Sequence, residues 1–440
     1  MTDVAWHCTE NWETVLAQLP SDFEAIARKH KQVNDQWSNT KLRNASELLR
    51  MILLHVGADL PLRQTVSLVA AAGGPTISAV RLHCRLRRIG PYLAELVSRM
   101  CASQTATPER WCGYEMNCVD ATSMSGPGAD GTDARIHLAL RLHDLAIVEA
   151  IATSGSEGET LRNFTWHPGQ LILADRGYSN APGVAHALSQ GADVLLRLNR
   201  GSMPLSDGKG KPVDVLAWCR TLKRGAILER TVACFNGRQC IPGRLIATRI
   251  PSDKVKEAHA RTRKEYGSAT TAEQLESAEY VVLFTTAPAQ RLDARTCVQA
   301  YRLRWQVELQ FKRWKSLCGF GELPNHRTDT IVAWVTAKLL LGLLLERLSE
   351  LPSASTDASE PATPKRAMSR DPWKLTSITS ALLIAAIVPI PLSELTEHLP
   401  RACAELLRYA TNSRPLQIPA FRASVASHQP QTAGTRRKMC

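Results

Sequence analysis

Between residues 113 and 198 the chain changes character, and that stretch most limits what it can fold into. RIHLALRL (135–142) alternates cleanly: Ile136, Leu138, Leu140 and Leu142 fall on one side, Arg135, His137, Ala139 and Arg141 on the other. Period-two alternation over eight residues is the mark of a half-buried β-strand. Before it, MNCVDATSM reads as a short apolar strand ending at Asp120. After it, His143 and Asp144 make a tight turn into a third strand, LAIVEAIA. The pattern then becomes strand and helix in alternation. A short helix is expected around Gly158 to Phe164, a strand in QLILADRGY ending at Asp175, a helix from Pro182 to Gln190, and a fifth strand in ADVLLRL. Three meandering strands followed by a strand–helix alternation imply a mixed α/β sheet. Two acids, Asp120 and Asp175, stand at the ends of its buried strands, where ligands of open α/β sheets bind.

Downstream, AILERTVACFNGRQCIPGRLIATRI (226–250) predicts a β-hairpin or small meander, with turns at Asn236-Gly237 and Pro242-Gly243. DKVKEAHARTRKEYG reads as a charged helix. Residues 199–279 thus interrupt the sheet, and YVVLFTT (280–286) returns to buried-strand character.

The next segment, AYRLRWQVELQFKRWKSL, predicts one helix. Tyr301, Arg304, Glu308 and Lys315 occur in it at offsets 0, 3, 7 and 14. At ~100° per residue they lie within roughly 60° of one another, and Lys312 joins the stripe. Leu303, Val307, Trp314 and Leu317 are expected on the opposite, core-facing side, with Trp305 also expected to pack. One carboxylate in a row of cations and a phenol suits a site that holds a metal ion beside phosphate. Taken singly, each acid has a plainer reading: a strand-end Asp as a turn former or cap, Glu308 as a solvated partner of Lys or Arg.

The rest of the chain frames this core. Residues 1–105 read as helical. ELLRMILLH is amphipathic; LPLRQTVSLVAAAGG stops at Gly73 and Gly74; TISAVRLHCRLRRIG restarts after Pro75. That is the outline of a helix-turn-helix whose second helix presents Ser78, Arg81, Arg85 and Arg88; the alternative is a bundle with an Arg-rich solvated face. The apolar run AKLLLGLLLERL contains Lys338 and ends at Glu346 and Arg347, so it reads as a buried helix rather than a membrane span. Residues 351–372 are rich in Ser, Pro and Ala and read as a linker. Residues 373–440 read as helical around 374–388 and 393–410, with a basic tail at Arg436, Arg437 and Lys438.

A net charge of +13 over 440 residues favours a polyanionic partner, usually nucleic acid. The 12 cysteines include no CxxC pair and no zinc-finger spacing, so they read as reduced, mostly buried thiols of a cytosolic protein. The N-terminus, MTDVAWHCTENWE, lacks the features of a signal peptide.

The acids and the stripe together resemble the bacterial DDE transposases of the "insertion sequence four" family. The signature of that family around its catalytic glutamate is Tyr, two residues, Arg, three residues, Glu, six residues, Lys, which is the spacing of Tyr301, Arg304, Glu308 and Lys315. VDATSMSGPG carries Asp120 as the first aspartate, although Ala121 follows it where many members have Gly or Ser. LILADRGY carries Asp175 as the second. GADGTDARIH and DLAIVEA are also similar to family segments, and the resemblance spans roughly 110–345.

It implies a ribonuclease-H-like core, a mixed five-stranded sheet with helices, at 106–198 and 280–350. A β-rich insertion would lie at 199–279, flanked by a helical N-terminal DNA-binding region (1–105) and, past the linker, a helical C-terminal region. It implies that Asp120, Asp175 and Glu308 are catalytic and hold two Mg²⁺ or Mn²⁺ ions, and that Tyr301, Arg304 and Lys315 contact DNA phosphates. Lys312 would join them, and Arg81, Arg85 and Arg88 would help bind the ends. Tyr280 would stack on a flipped base, unless it is an ordinary strand tyrosine.

The expected activity is cleavage at terminal inverted repeats and strand transfer into target double-stranded DNA, by a homodimer at the bacterial nucleoid. The rivals are a decayed transposase acting as a DNA-binding regulator and a metal nuclease without strand transfer.

Overall fold

The computed structural model describes residues 10–32, 42, 44–103, 108–223, 225–321, 323–324 and 328–354. Most of the expected linker, both C-terminal helices and the basic tail lie outside these residues.

Six helices come first: α1 (Glu10–Leu16), α2 (Phe23–Lys29), α3 (Ala45–Gly57), α4 (Leu62–Ala71), α5 (Ala79–Leu86) and α6 (Gly90–Ala102). The start of α3 is set by Asn44, whose side chain accepts the Glu47 N–H at 2.9 Å. Gly73 adopts φ 76° just past α4, a backbone state that favours glycine, and so provides the stop between α4 and α5. Ser78 caps α5 by accepting from the Arg81 N–H.

Strands β1 (Glu115–Met124), β2 (Ala134–Arg141), β3 (Ile147–Ser154), β4 (Gln170–Ala174) and β5 (Asp193–Arg197) follow, with helix α7 (Ala181–Ser189) between the last two. Strand β1 does not end at Asp120. It continues to Met124, because Ala121 to Met124 stay paired with β2 (His137 to Ala134). Between β3 and β4 there is a single 3₁₀ turn, Leu161–Asn163, in place of the expected helix.

Helix α8 (Val215–Arg220), strands β6 (Ile227–Asn236) and β7 (Gln239–Arg249), helices α9 (Val255–Tyr266) and α10 (Ala272–Ala278) and strand β8 (Tyr280–Thr285) come next. The hairpin turns at Gly237-Arg238, between the paired Asn236 and Gln239. Pro242 and Gly243 are not a turn but lie within β7, opposite Ala233 and Val232.

All eight strands form one sheet in the order β3-β2-β1-β4-β5-β8-β7-β6. Strands β1, β4 and β5 are mutually parallel and every other pairing is antiparallel. The hairpin therefore extends the sheet instead of standing apart from it. Periodicity locates strands but does not name their partners, so the pairing of Arg244 with Thr285 was invisible in sequence.

The expected single helix over 301–317 is two: α11 (Ala294–Leu303) and α12 (Trp305–Cys318), meeting at Arg304. Leu303 and Trp305 at this junction are exposed, contrary to expectation, while Val307 and Trp314 are buried. Helix α13 (Thr328–Ala354) closes the described chain and enters the stretch expected to be linker. No described helix is long and apolar enough to cross a membrane.

One face of the sheet, with Cys118, Leu138, Leu140, Leu171 and Leu173, packs into a single core with α3, α6, α12 and α13. The other face, with Val119, Ile172, Ala174 and Val194, packs under α7 and α8. Helix α13 ties the N-terminal helices to the sheet. Lys338, fully buried, pairs with Asp59 at 2.8 Å, and Arg347 donates to Gln18 O and Met100 O at 2.6 and 2.7 Å. Trp314 is the keystone of α12: it stacks on Phe320 at 4.9 Å and donates to Glu346 at 3.0 Å. We expect Trp314→Ala to destabilise the protein by about 3–5 kcal/mol, measured as a lower midpoint in denaturant unfolding followed by fluorescence of the remaining tryptophans.

Candidate active site

Strand pairing brings the two aspartates together. The parallel register of β1 and β4 sets Cys118 opposite Leu173. Each aspartate lies two residues beyond that last pair, and Asp120 feels the charge of Asp175. Period two puts Asp120 on the same sheet face as Cys118. That is the face covered by α12. Asp175 lies one residue beyond β4, where Gly177 N–H donates to its Oδ1 at 2.8 Å.

Helix α12 delivers Glu308 to the same place through Arg304. The guanidinium of Arg304 stands 3.7 Å from Asp120 and hydrogen-bonds Glu308 one helical turn on. It also lies 5.9 Å from the centre of the Tyr301 ring. Three of the four signature residues thus converge on Asp120. Lys312 and Lys315 project outward and are exposed, with Lys312 over the Trp305 ring at 5.2 Å.

The electrostatics record the crowding of acids. Asp120 is pushed up to about 7, first by burial and then by the charges of Asp175 and Glu308; Ala121 N–H and Arg304 pull the other way. Burial alone would lower Arg304, but Tyr301, Glu308 and Asp120 hold it above its ordinary value. Tyr301 is raised by burial, against the pull of Arg304 and Arg197.

Four residues here escaped the sequence reading. Arg197, at the end of β5, is half-buried near Arg176, Tyr301, Arg304 and Asp175, with its buried Nε lacking a hydrogen-bond partner. Arg176 follows Asp175 directly. Glu159 approaches Asp175 from the loop after β3. The Tyr178 hydroxyl is buried without a partner, within the influence of Glu159, Asp120 and Asp175. Arg176 and Tyr178 lie in the quoted LILADRGY motif, but nothing in their spacing marks them as site residues.

Among the described residues no three acid, His or Cys side chains close on a single ion position. The donor set nonetheless suits divalent metal. Asp120, Asp175 and Glu308 are hard oxygen donors of the kind Mg²⁺ takes. Burial and then the charge of Asp175 raise Asp120, and the orphaned Tyr178 hydroxyl lies within the influence of Asp120 and Asp175. In this arrangement Arg304 supplies positive charge to Asp120 and Glu308, and it makes no ion pair with Asp175.

The other expected site residues lie elsewhere. On α5, Leu82 and Leu86 are buried while Arg81 is exposed; Arg88, expected on this helix, lies exposed just past its end. Arg85 is half-buried, donates to Gln32 O at 3.3 Å and is lowered by burial and by Arg88 and Arg81. These three arginines and Lys31 line a cavity of about 340 Å³. Tyr280 is 5% exposed under the Arg249 guanidinium, at the wall of a cavity of about 730 Å³ that also meets Arg176 and Arg200.

The family profile of the transposase DDE domain matches residues 111–344, just over half of the chain. The chain belongs to this family and is a DDE transposase, an enzyme that acts on DNA and depends on metal. It is 29% identical over 349 residues to the transposase of insertion sequence element IS421 from Escherichia coli, covering 77% of this chain and 93% of that one. It is 23% identical over 194 residues to the transposase of IS231E from Bacillus thuringiensis subsp. finitimus, covering 40% of this chain and 41% of that one.

His137 lies on the other sheet face from Cys118 and Leu138, against Phe164. It is fully buried on β2 opposite Ala121, near Thr153 Oγ1 at 3.0 Å and Asn163. Burial, aided by Arg135, pushes it down to about 4. The unfolded chain therefore binds more protons between pH 6.5 and 4. Stability from this group is full above pH 6.5 and is lost as pH falls through 4, by up to about 3 kcal/mol. We expect thermal melts of the wild type across that window to fall more steeply with acidification than those of His137→Gln.

Proposed function

We propose that this protein is a cut-and-paste transposase that cleaves at the terminal inverted repeats of its own element and joins the freed ends to target DNA. The observation that carries the reading is the convergence of Asp120, Asp175 and Glu308, from two adjacent strands and one helix, with Arg304 and Tyr301 among them. The sheet order β3-β2-β1-β4-β5, with its parallel and antiparallel pairs, supports a ribonuclease-H-like core at 106–198 and 280–350. The hairpin of 199–279 is then an insertion that lengthens that sheet.

In this reading Asp120, Asp175 and Glu308 would hold two Mg²⁺ or Mn²⁺ ions. When bound, the ions stabilise charge on the attacking and leaving oxygens of an in-line phosphoryl displacement. The protein positions the rest. Water attacks phosphorus at the element end, the bond to the 3′ oxygen breaks, and a 3′-OH is released. That hydroxyl then attacks a phosphodiester of the target, a new P–O bond forms and the old 3′ oxygen leaves. No covalent bond to protein is needed. Tyr301, Arg304, Lys312 and Lys315 grip the phosphates of the cleaved strand, while Arg81, Arg85 and Arg88 bind the repeat further from the cut. Tyr280 would need to emerge from beneath Arg249 to stack on a base. Two element ends must be held together, which calls for at least two protomers.

We expect Asp120→Ala, Asp175→Ala and Glu308→Ala each to reduce cleavage of an end-containing duplex below detection while mobility-shift binding persists. Normal cleavage by any of them would remove that residue from the metal site. Arg304→Ala and Lys315→Ala should weaken binding to the same duplex and lower the slope of log affinity against log salt by about one each. An unchanged slope would make these side chains structural.

A further inference from the structure

We propose that Glu159 is a fourth carboxylate of the metal site, supplying oxygen to the ion held on the Asp175 side. This rests on the metal-site reading above and adds a residue to it.

The geometry comes from Gly177. A β-carbon on Gly177 would fall 1.8 Å from Glu159 Oε2 and 3.2 Å from Asp175 Oδ1. The two carboxylate oxygens are therefore within about 5 Å of each other, the sum of those distances. With ligand distances near 2.1 Å, two oxygens on one Mg²⁺ stand roughly 3 Å apart in adjacent positions and 4 Å apart in opposite ones. A small rotation of either side chain spans the remainder. The glycine allows this approach: any larger residue would occupy the place of the Glu159 carboxylate.

The loop carrying Glu159 is held in place. Asn163 donates to Gly158 O at 3.1 Å and lies beside His137 on β2. Arg135 donates to Glu157 O. Thr160 caps the 3₁₀ turn that follows. The acid itself makes no hydrogen bond or ion pair with any described residue. A half-buried carboxylate left without a partner, next to a second carboxylate, costs free energy unless a cation joins them. Burial and the Asp175 charge raise Glu159, with Arg135 opposing.

A second observation points to the same ligand. Tyr178, one residue after Gly177, is 0% exposed, and its hydroxyl has no partner. It lies under the influence of Glu159, Asp120 and Asp175. A water bound to an ion between Glu159 and Asp175 would satisfy that hydroxyl.

The test is a Mn²⁺ titration of the full-length protein, reading free ion by its electron paramagnetic resonance signal, on the wild type, Glu159→Gln, Gly177→Ala and Asp175→Asn. Glu159→Gln keeps shape and removes charge. Gly177→Ala leaves the acid but displaces its carboxylate. We expect both to weaken Mn²⁺ binding roughly 10-fold or more, and Asp175→Asn to weaken it at least as much. If Asp175→Asn weakens binding while Glu159→Gln leaves it unchanged, the Glu159 assignment is overturned and the three-acid site stands. If Asp175→Asn leaves binding unchanged as well, the metal-site reading falls and Glu159 falls with it.

Discussion

The parallel pairing of β1 with β4 is the contact on which the site depends. Its backbone ladder, Glu115–Cys118 with Gln170–Leu173, ends two residues before each aspartate and so brings Asp120 and Asp175 to the same end of the sheet. The acids repel, so their approach is opposed by electrostatics and imposed by the sheet. Apolar residues on both sheet faces, Cys118 and Leu173 on one and Val119 and Ala174 on the other, supply the burial that offsets the repulsion. A one-residue slip of either strand would swap those faces and turn its aspartate away from α12. Register is therefore a constraint both on folding and on where Asp120 stands relative to α12.

Arg304 answers the charge that this register creates. It occupies the break between α11 and α12, where the helix need not run straight, and from there reaches Asp120 and Glu308 at once. A lysine could supply the charge, but its single ammonium lacks the fork that contacts two acids. Its Nη1 is buried facing Asp120 at 3.7 Å without a hydrogen bond, so the charge of the guanidinium is directed at the acids.

Much of this was legible in the sequence for a local reason. Alternation and apolar runs mark strands, so Asp175 was placed one residue from where it lies, and the spacing of Tyr301, Arg304 and Glu308 brought them to one face despite the break at Arg304. What stayed hidden was non-local. Asp120 was read as a strand end because polar residues follow it, yet pairing with β2 carries β1 on to Met124. Trp305 was expected to pack because it is large and apolar, but the turn at Arg304 leaves it in solvent beside Lys312. Glu159 sits in a segment that reads as a short helix, and only the fold of the loop against Gly177 brings it to Asp175. Lys338 was visible as an interruption in an apolar run. That its charge is matched by Asp59, nearly three hundred residues away, belongs to tertiary structure alone.

The placement of the β6–β7 hairpin gives it a mechanical role at the active site. Through β8 it is continuous with β5, whose last residue, Arg197, lies among the site cations. From β7, Arg244 reaches Ala287 O at 2.9 Å and Leu292 O at 2.6 Å, while pairing with Glu229 across the hairpin at 2.5 Å. Those carbonyls belong to the segment that leads into α11, which Asp293 caps by accepting from Thr296 N–H at 2.7 Å. The hairpin therefore fixes where α11 begins, and α11 fixes where Tyr301 and Arg304 stand. A hairpin that only decorated the surface could drift without consequence. This one is hydrogen-bonded to the root of the helix pair that brings Glu308 to the aspartates, so displacing it moves the third acid relative to the first two.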